Sequence, residues 1–114
     1  MRCFKDRSEA VLYLWDYFYC ANVPRRGDEE PWGKIERAMC RVRDSESHLE
    51  TRYPVDIRLR NARRIRNAVR LAARNIEKLS SQTEQWVLDE LARLETFATE
   101  LIDSLSKSPP TVVH

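Results

Sequence analysis

The sequence predicts an all-α protein, an antiparallel four-helix bundle with a long C-terminal helical hairpin. Only two of its 114 residues are glycine, whereas β-hairpins and tight turns depend on glycine at positive φ. Apolar side chains recur at intervals of three and four residues through most of the chain, which is the spacing of one helix face. Residues 1–107 are therefore expected to form a single domain, followed by a loose tail over residues 108–114.

The first helix is expected over residues 7–21. Asp6, followed three residues later by Glu9, is a suitable cap for its N-terminus. The segment is apolar nearly all round, so it must be covered on more than one side. Pro24 and Gly27 then mark a loop over residues 22–30.

The second helix is expected over residues 31–50, with Pro31 in its first turn. Its end is expected to fray over residues 44–47, because these residues are weak helix formers. Its apolar face consists of Trp32, Ile35, Met39, Val42 and Leu49.

The third helix is expected over residues 54–79, after the break that Tyr53 and Pro54 impose. It is amphipathic, with an alanine-rich apolar arc opposite a row of arginines. The apolar arc consists of Ile57, Ala62, Ile65, Ala68, Val69, Ala72, Ala73, Ile76 and Leu79.

The fourth helix is expected over residues 82–107, with Ser81 and Glu84 as a capping box. The loop before it is then only two or three residues long, which forces the last two helices to be antiparallel neighbours. Glu90 falls inside the apolar arc, so it needs a partner, for which Arg58 or a tyrosine hydroxyl is a candidate. The apolar seam consists of Val87, Leu91, Leu94, Ala98, Leu101 and Leu105.

Charge is sorted strongly along the chain. Residues 54–80 carry a net charge of +6, residues 81–114 carry −4, and the first 53 residues balance at zero. The net charge of +2 for the whole chain therefore conceals a strong separation. Such separation indicates contacts with a partner more than catalysis.

The arginines of the third helix are the main candidate site. A guanidinium is always charged, and its planar set of donors suits carboxylates and phosphates. We expect a small non-enzymatic interaction protein (an adaptor, inhibitor or assembly subunit) that docks this face on an acidic protein surface. A sequence-nonspecific contact with a nucleic-acid backbone is the alternative, and pairing with acids of the same bundle would leave no binding role. The candidate contact residues are Arg60, Arg63, Arg64, Arg66, Arg70 and Arg74.

The aromatic first helix is a second candidate surface. Tyr13, Trp15 and Tyr17 have the amphipathic side chains that are common at protein interfaces. They fit either the centre of the core or a contact with a partner, including a homodimer.

A third candidate is the spacing between Arg43 and His48. It is similar to the R-x(4–6)-H motif of HEPN ribonucleases, a family of small and often dimeric all-α proteins. The resemblance implies that Arg43 and His48 act on an RNA phosphodiester, with His48 as the acid or base. The sequence departs from the family pattern, because no asparagine follows Arg43 and the motif ends a helix.

No metal or cofactor site is expected. Cys3, Cys20 and Cys40 are widely spaced, and only His48 and His114 could join them at a metal. The thiols are expected to be reduced and mostly buried, in a cytoplasmic protein. No apolar run is long enough for a membrane span, and no cleavable signal is expected at the N-terminus.

Overall fold

A computed structural model describes Phe4 and residues 6–107 of the chain. Within these residues it contains four α-helices and no strand, which confirms the predicted all-α class and bundle. The predicted tail lies outside the described residues. The helices are α1 (Arg7–Asp16), α2 (Glu29–Glu46), α3 (Val55–Ile76) and α4 (Gln85–Lys107).

The predicted first helix forms in two parts. The Asp6 carboxylate accepts the Glu9 backbone N–H at 2.9 Å, so the predicted N-terminal cap is confirmed. After α1 the chain continues as a wider π-helical turn over Tyr17–Ala21. The Asn22 amide donates to the Tyr17 carbonyl at 2.9 Å, which satisfies one acceptor at the helix end. In the loop that follows, Gly27 has a φ of 97°, a conformation that side chains other than glycine rarely adopt.

The core lies where the predicted apolar faces of the four helices meet. The predicted apolar residues of α2 are all buried, and so is the seam of α4 except for Leu101, which is half-buried. In α3 the prediction is wrong for Ala73, which is exposed because it lies at the margin of the apolar arc. The largest fully buried side chains are Leu14, Phe18, Ile35, Met39, Val42, Ile65, Val69 and Val87.

Aromatic contacts attach the first helix to the rest of the bundle. The Trp32 indole N–H donates to the Phe18 carbonyl at 3.1 Å, and the two rings meet edge to face. Tyr17 contacts Trp86 of α4 in the same geometry, with ring centroids 5.6 Å apart. These contacts place α1 against α2 on one side and α4 on the other, diagonally across the bundle from α3.

The connection between α3 and α4 is longer than predicted. It covers residues 77–84, and α4 begins at Gln85, so Ser81 does not cap it as expected. The backbone N–H of Ser80 instead donates to the Asp28 carboxylate, at 3.0 and 3.1 Å. This contact, between residues 52 apart in the sequence, holds the connection against the N-terminus of α2.

The end of α2 is also better ordered than predicted. Ser45 is buried, and the helix continues to Glu46 before a 3₁₀ turn over Ser47–Leu49. The Glu46 carboxylate accepts hydrogen bonds from Arg7 at 3.2 Å and from Ser8 at 3.0 Å. Contacts with the start of α1 therefore compensate for the weak helix propensity of this segment.

Glu90 has a different partner from the one expected. It is buried on α4 and is paired with Arg93, one turn further along the same helix. Arg58 donates instead to the Leu49 carbonyl at 2.9 Å, which caps the 3₁₀ turn after α2. Arg58 thus makes a structural contact with the main chain of a neighbouring turn, which the other arginines of α3 do not make.

Candidate interaction surfaces

Six arginines of α3 form one face of the bundle, which we call the arginine face. The opposite side of the helix contributes to the core, so core packing itself turns these side chains outward. Arg66 is half-buried, and the other five are exposed. The arginine face consists of Arg60, Arg63, Arg64, Arg66, Arg70 and Arg74.

Internal ion pairing involves only a small part of the arginine face. Arg70 Nε lies 2.6 Å from a carboxylate oxygen of Glu95 on α4. Arg66 Nε lies 3.5 Å from the side-chain oxygen of Asn67. Within the described part of the chain, the remaining four have no carboxylate oxygen within 4.0 Å. These four arginines are Arg60, Arg63, Arg64 and Arg74.

An open groove of about 610 Å³ runs between α2 and α3 beside this face. Its deepest residues, Ser45 and Ala68, are small and buried, which leaves space between the two helices. Arg64 and Arg74 line the α3 side of the groove, and Arg41 lines the α2 side. The structure therefore brings a guanidinium from a second helix to the predicted site.

The groove contains neutral and negatively charged side chains as well as guanidinium groups. Three guanidinium groups and the Asn67 amide supply donors, while the Asp44 carboxylate supplies an acceptor. This combination suits a ligand whose carboxylates accept from the guanidinium groups and which carries a donor group for Asp44 beside them. Asp44 would repel any anion directly opposite it, so the groove suits negative groups that are spaced apart better than an unbroken run of phosphates.

Arg41 is not among the site residues predicted from the sequence. The signal was present, because Arg37 and Arg41 are four residues apart and share one side of α2. Which side of α2 faces α3 depends on the packing of both helices, and spacing within one helix does not give it.

A second surface lies on the outer side of α1, and we call it the α1 surface. Leu12, Tyr13 and Tyr19 are exposed by 51%, 42% and 50%. The Trp15 ring stacks on Tyr19, with centroids 5.1 Å apart, and the guanidinium of Arg43 lies 4.5 Å from the Trp15 centroid. The α1 surface consists of Glu9, Leu12, Tyr13, Trp15, Asp16 and Tyr19; all but Tyr19 line an open cavity of about 620 Å³.

The structure separates the three aromatic residues singled out on α1. Tyr13 and Trp15 belong to the α1 surface. Tyr17 is half-buried and contacts Phe18 and Trp86 inside the bundle. Its hydroxyl also accepts the Glu84 backbone N–H at 3.4 Å, so Tyr17 packs as a core residue.

Arg43 and His48 have different neighbours. Arg43 stacks over Trp15. The His48 ring lies 5.2 Å from the Tyr53 ring, and its Nδ1 is 3.0 Å from the Asp44 carbonyl oxygen. Arg43 lies within α2 and His48 in the 3₁₀ turn that follows it, which accounts for their different surroundings.

The cysteines are less buried than expected. Cys20 is exposed, Cys40 is half-buried, and Cys3 lies outside the described residues. Partial desolvation and the neighbouring Asp16 carboxylate raise the pKa of the Cys20 thiol. No group of three potential metal ligands occurs among the residues that the structure describes.

Comparison with known proteins found no matching family, no matching curated protein and no matching solved structure. None of the described helices combines the length and apolar character that a bilayer crossing needs.

Proposed function

We propose that this protein is a small non-enzymatic interaction protein that docks its arginine face on an acidic surface of a partner protein. The observation that carries the proposal is the set of four exposed arginines that have no ion pair with any residue that the structure describes. Arginine offers a planar set of donors to carboxylates, so less side-chain entropy is lost for each hydrogen bond formed than with lysine. An adaptor, an inhibitor and an assembly subunit would all use such a face.

The surroundings of the arginine face favour a protein over a nucleic acid. Glu95 of α4 already reaches Arg70, and residues 81–114 carry a net charge of −4. A nucleic-acid backbone that continued past α3 would meet these acids on one side and Asp44 on the other. A carboxylate patch of limited width can contact the arginines and avoid both.

The proposal is tested with two labelled probes of matched charge. One is a helical peptide with glutamates along one side, and the other is a single-stranded RNA oligonucleotide. Fluorescence anisotropy at 50 and 200 mM salt gives both affinities. We expect tighter binding of the peptide at both salt concentrations, because discrete carboxylates fit between the flanking acids.

Nucleic-acid binding, the alternative function, predicts the opposite order of the two affinities. A backbone track with about six phosphate contacts would bind the single-stranded RNA tightly at low salt and lose about 2.5 decades of affinity between the two salt concentrations. That result, with weaker binding of the peptide, would overturn the proposal in favour of nucleic-acid binding.

A further inference from the structure

We propose that the groove between α2 and α3 binds a single helix of the partner protein. Two carboxylates of that helix, about three helical turns apart, contact Arg64 and Arg74, and a neutral donor between them faces Asp44. The inference rests on the proposed function, because it needs an acidic partner. It adds the secondary structure and the charge spacing of the segment that is recognised, and it gives binding roles to Arg41 and Asp44 of α2.

The charged groups that line the groove are available to a ligand. Arg41, Arg64 and Arg74 are exposed, and no described carboxylate oxygen lies within 4.0 Å of their nitrogens. Asp44 is exposed as well, and its contacts with Ser47 and His48 involve its backbone carbonyl oxygen, not its carboxylate. A ligand can therefore reach these four side chains without displacing an ion pair of the described chain.

The spacing of the arginines indicates the length of the ligand. Arg64 and Arg74 both line the groove and are ten residues apart on α3, which is about 15 Å along the helix axis. One small anion could contact both only by drawing two like-charged guanidinium groups together, which is unfavourable. Two carboxylates at a similar separation each take one guanidinium, so the ligand is a segment with acids at both ends.

The walls of the groove favour a helical segment. Both walls are α-helices, whose interior backbone N–H and C=O groups are already hydrogen-bonded within each helix. An extended peptide would bring backbone groups that need partners at every residue, whereas a helix satisfies its own backbone. The small buried residues Ser45 and Ala68 form the floor of the groove and let a third helix approach closely.

Asp44 determines which charge pattern fits. It precedes Ser45, which forms the floor together with Ala68. Ala68 lies between Arg64 and Arg74 along α3, so Asp44 is placed beside the middle of the groove. A carboxylate in the middle of the bound helix would be repelled by Asp44, whereas an amide N–H there can donate to it. The favoured helix therefore has acids at both ends and neutral donors between them.

Two helical peptides of identical composition test this charge pattern. Positions i, i+4, i+7 and i+11 lie on one side of a helix and span roughly 16 Å. The spaced peptide has glutamate at i and i+11 and glutamine at i+4 and i+7, and the central peptide has these residues exchanged. We expect the wild type to bind the spaced peptide about fivefold more tightly, measured by fluorescence anisotropy at low salt. Equal affinities, a preference for the central peptide, or no binding of either would overturn the proposal.

A matched pair of arginine variants locates the contact. Arg41→Ala removes a guanidinium that lines the groove, and Arg37→Ala removes one that lies four residues earlier on α2, outside the groove. Both positions are exposed, and both variants have the same net charge. Arg41→Ala should lower the affinity for the spaced peptide about fivefold, and Arg37→Ala should leave it within about twofold. Equal losses would mean that the peptide does not lie in the groove.

A second matched pair tests the role of Asp44. Asp44→Asn removes the repulsion that disfavours the central peptide, so the two peptides should then bind with affinities within about twofold of each other. Glu100→Gln makes the same change in net charge at an exposed position of α4 and should preserve the preference for the spaced peptide. A preference that survives Asp44→Asn would contradict the charge pattern. The helical circular-dichroism signal verifies that each variant is folded.

The outcomes also separate this inference from the proposed function. A wild type that binds the peptide with glutamates along one side, but does not discriminate between the spaced and central peptides, retains the proposed function and refutes the groove as the site for a helix. Absence of binding to all three peptides refutes the proposed function and this inference together.

Discussion

The buried carboxylate of Asp28 accepts the backbone N–H of Ser80 at 3.0 and 3.1 Å and the Ser80 hydroxyl at 2.9 Å. Asp28 immediately precedes α2, and Ser80 lies in the connection between α3 and α4. One side chain therefore fixes the position of a connection that has no regular structure of its own.

Replacing Asp28 should destabilise the bundle. In Asp28→Ala the Ser80 N–H loses its acceptor in a part-buried position, and we expect a loss of roughly 2–3 kcal/mol in the free energy of unfolding. Urea denaturation measures it. Glu100→Ala removes an exposed carboxylate from α4 and serves as the control, with an expected change within about 0.5 kcal/mol. Equal effects of the two substitutions would contradict the role assigned to Asp28.

Helix α4 contains a buried leucine and an exposed leucine whose substitution can be compared. Leu94 is buried in the core, whereas Leu88 on the same helix is exposed. Leu94→Ala should lower stability by about 2–4 kcal/mol through lost burial and a residual cavity. Leu88→Ala should change it by less than about 1 kcal/mol. Thermal melts that do not differ between these two variants would refute the packing of α4.

The ion pair between Arg70 and Glu95 should contribute little to stability. Both side chains are partly exposed, and such pairs are typically worth about 0.2–1 kcal/mol. A double-mutant cycle of Arg70→Ala and Glu95→Ala measures the coupling free energy. A value well above this range would mean that the arginine face has a structural role, and would weaken the argument that it binds a partner.

Cys20 should react slowly with alkylating reagents. Because its pKa is raised, its thiolate fraction near neutral pH is lower than that of an ordinary exposed cysteine. Asp16→Asn removes the negative charge, so the pKa should fall and the alkylation rate near neutral pH should rise. The rate is measured with iodoacetamide across a pH series, with Cys3 and Cys40 replaced by serine. A pH profile that Asp16→Asn leaves unchanged would exclude the carboxylate as a cause.

The positions of the helices could be predicted from the sequence because each one buries a periodic apolar face. The seam of α4 and the apolar residues of α2 show this directly, since spacing alone identified residues that the structure buries. The predicted length of the connection between α3 and α4 was wrong, because the observed length depends on the contact of Ser80 with Asp28. A contact between residues 52 apart in the sequence leaves no local signal.

The candidate surfaces were predictable only in part. The arginines of α3 follow from the helical period, because an amphipathic helix turns its polar side outward. The groove that includes Arg41 depends on small residues at the contact of α2 with α3. The sequence predicted Tyr17 on the same surface as Tyr13 and Trp15. In the structure a π-helical turn begins at Tyr17, and the Tyr17 ring packs against Trp86.

A pair of charge-reversed variants tests the proposal that the arginine face binds an acidic protein surface. The face variant carries Arg63→Glu, Arg64→Glu and Arg74→Glu. The control variant carries the same change at three exposed arginines elsewhere, which are Arg25, Arg26 and Arg37. Both variants have the same net charge, so a difference between them reports on position.

The measurement is the affinity of each variant for the glutamate peptide by fluorescence anisotropy at low salt. We expect the face variant to lose at least tenfold in affinity and the control variant to stay within about threefold of the wild type. Equal losses in the two variants would mean that the peptide responds only to net charge, and would contradict the claim that the arginine face is a binding site.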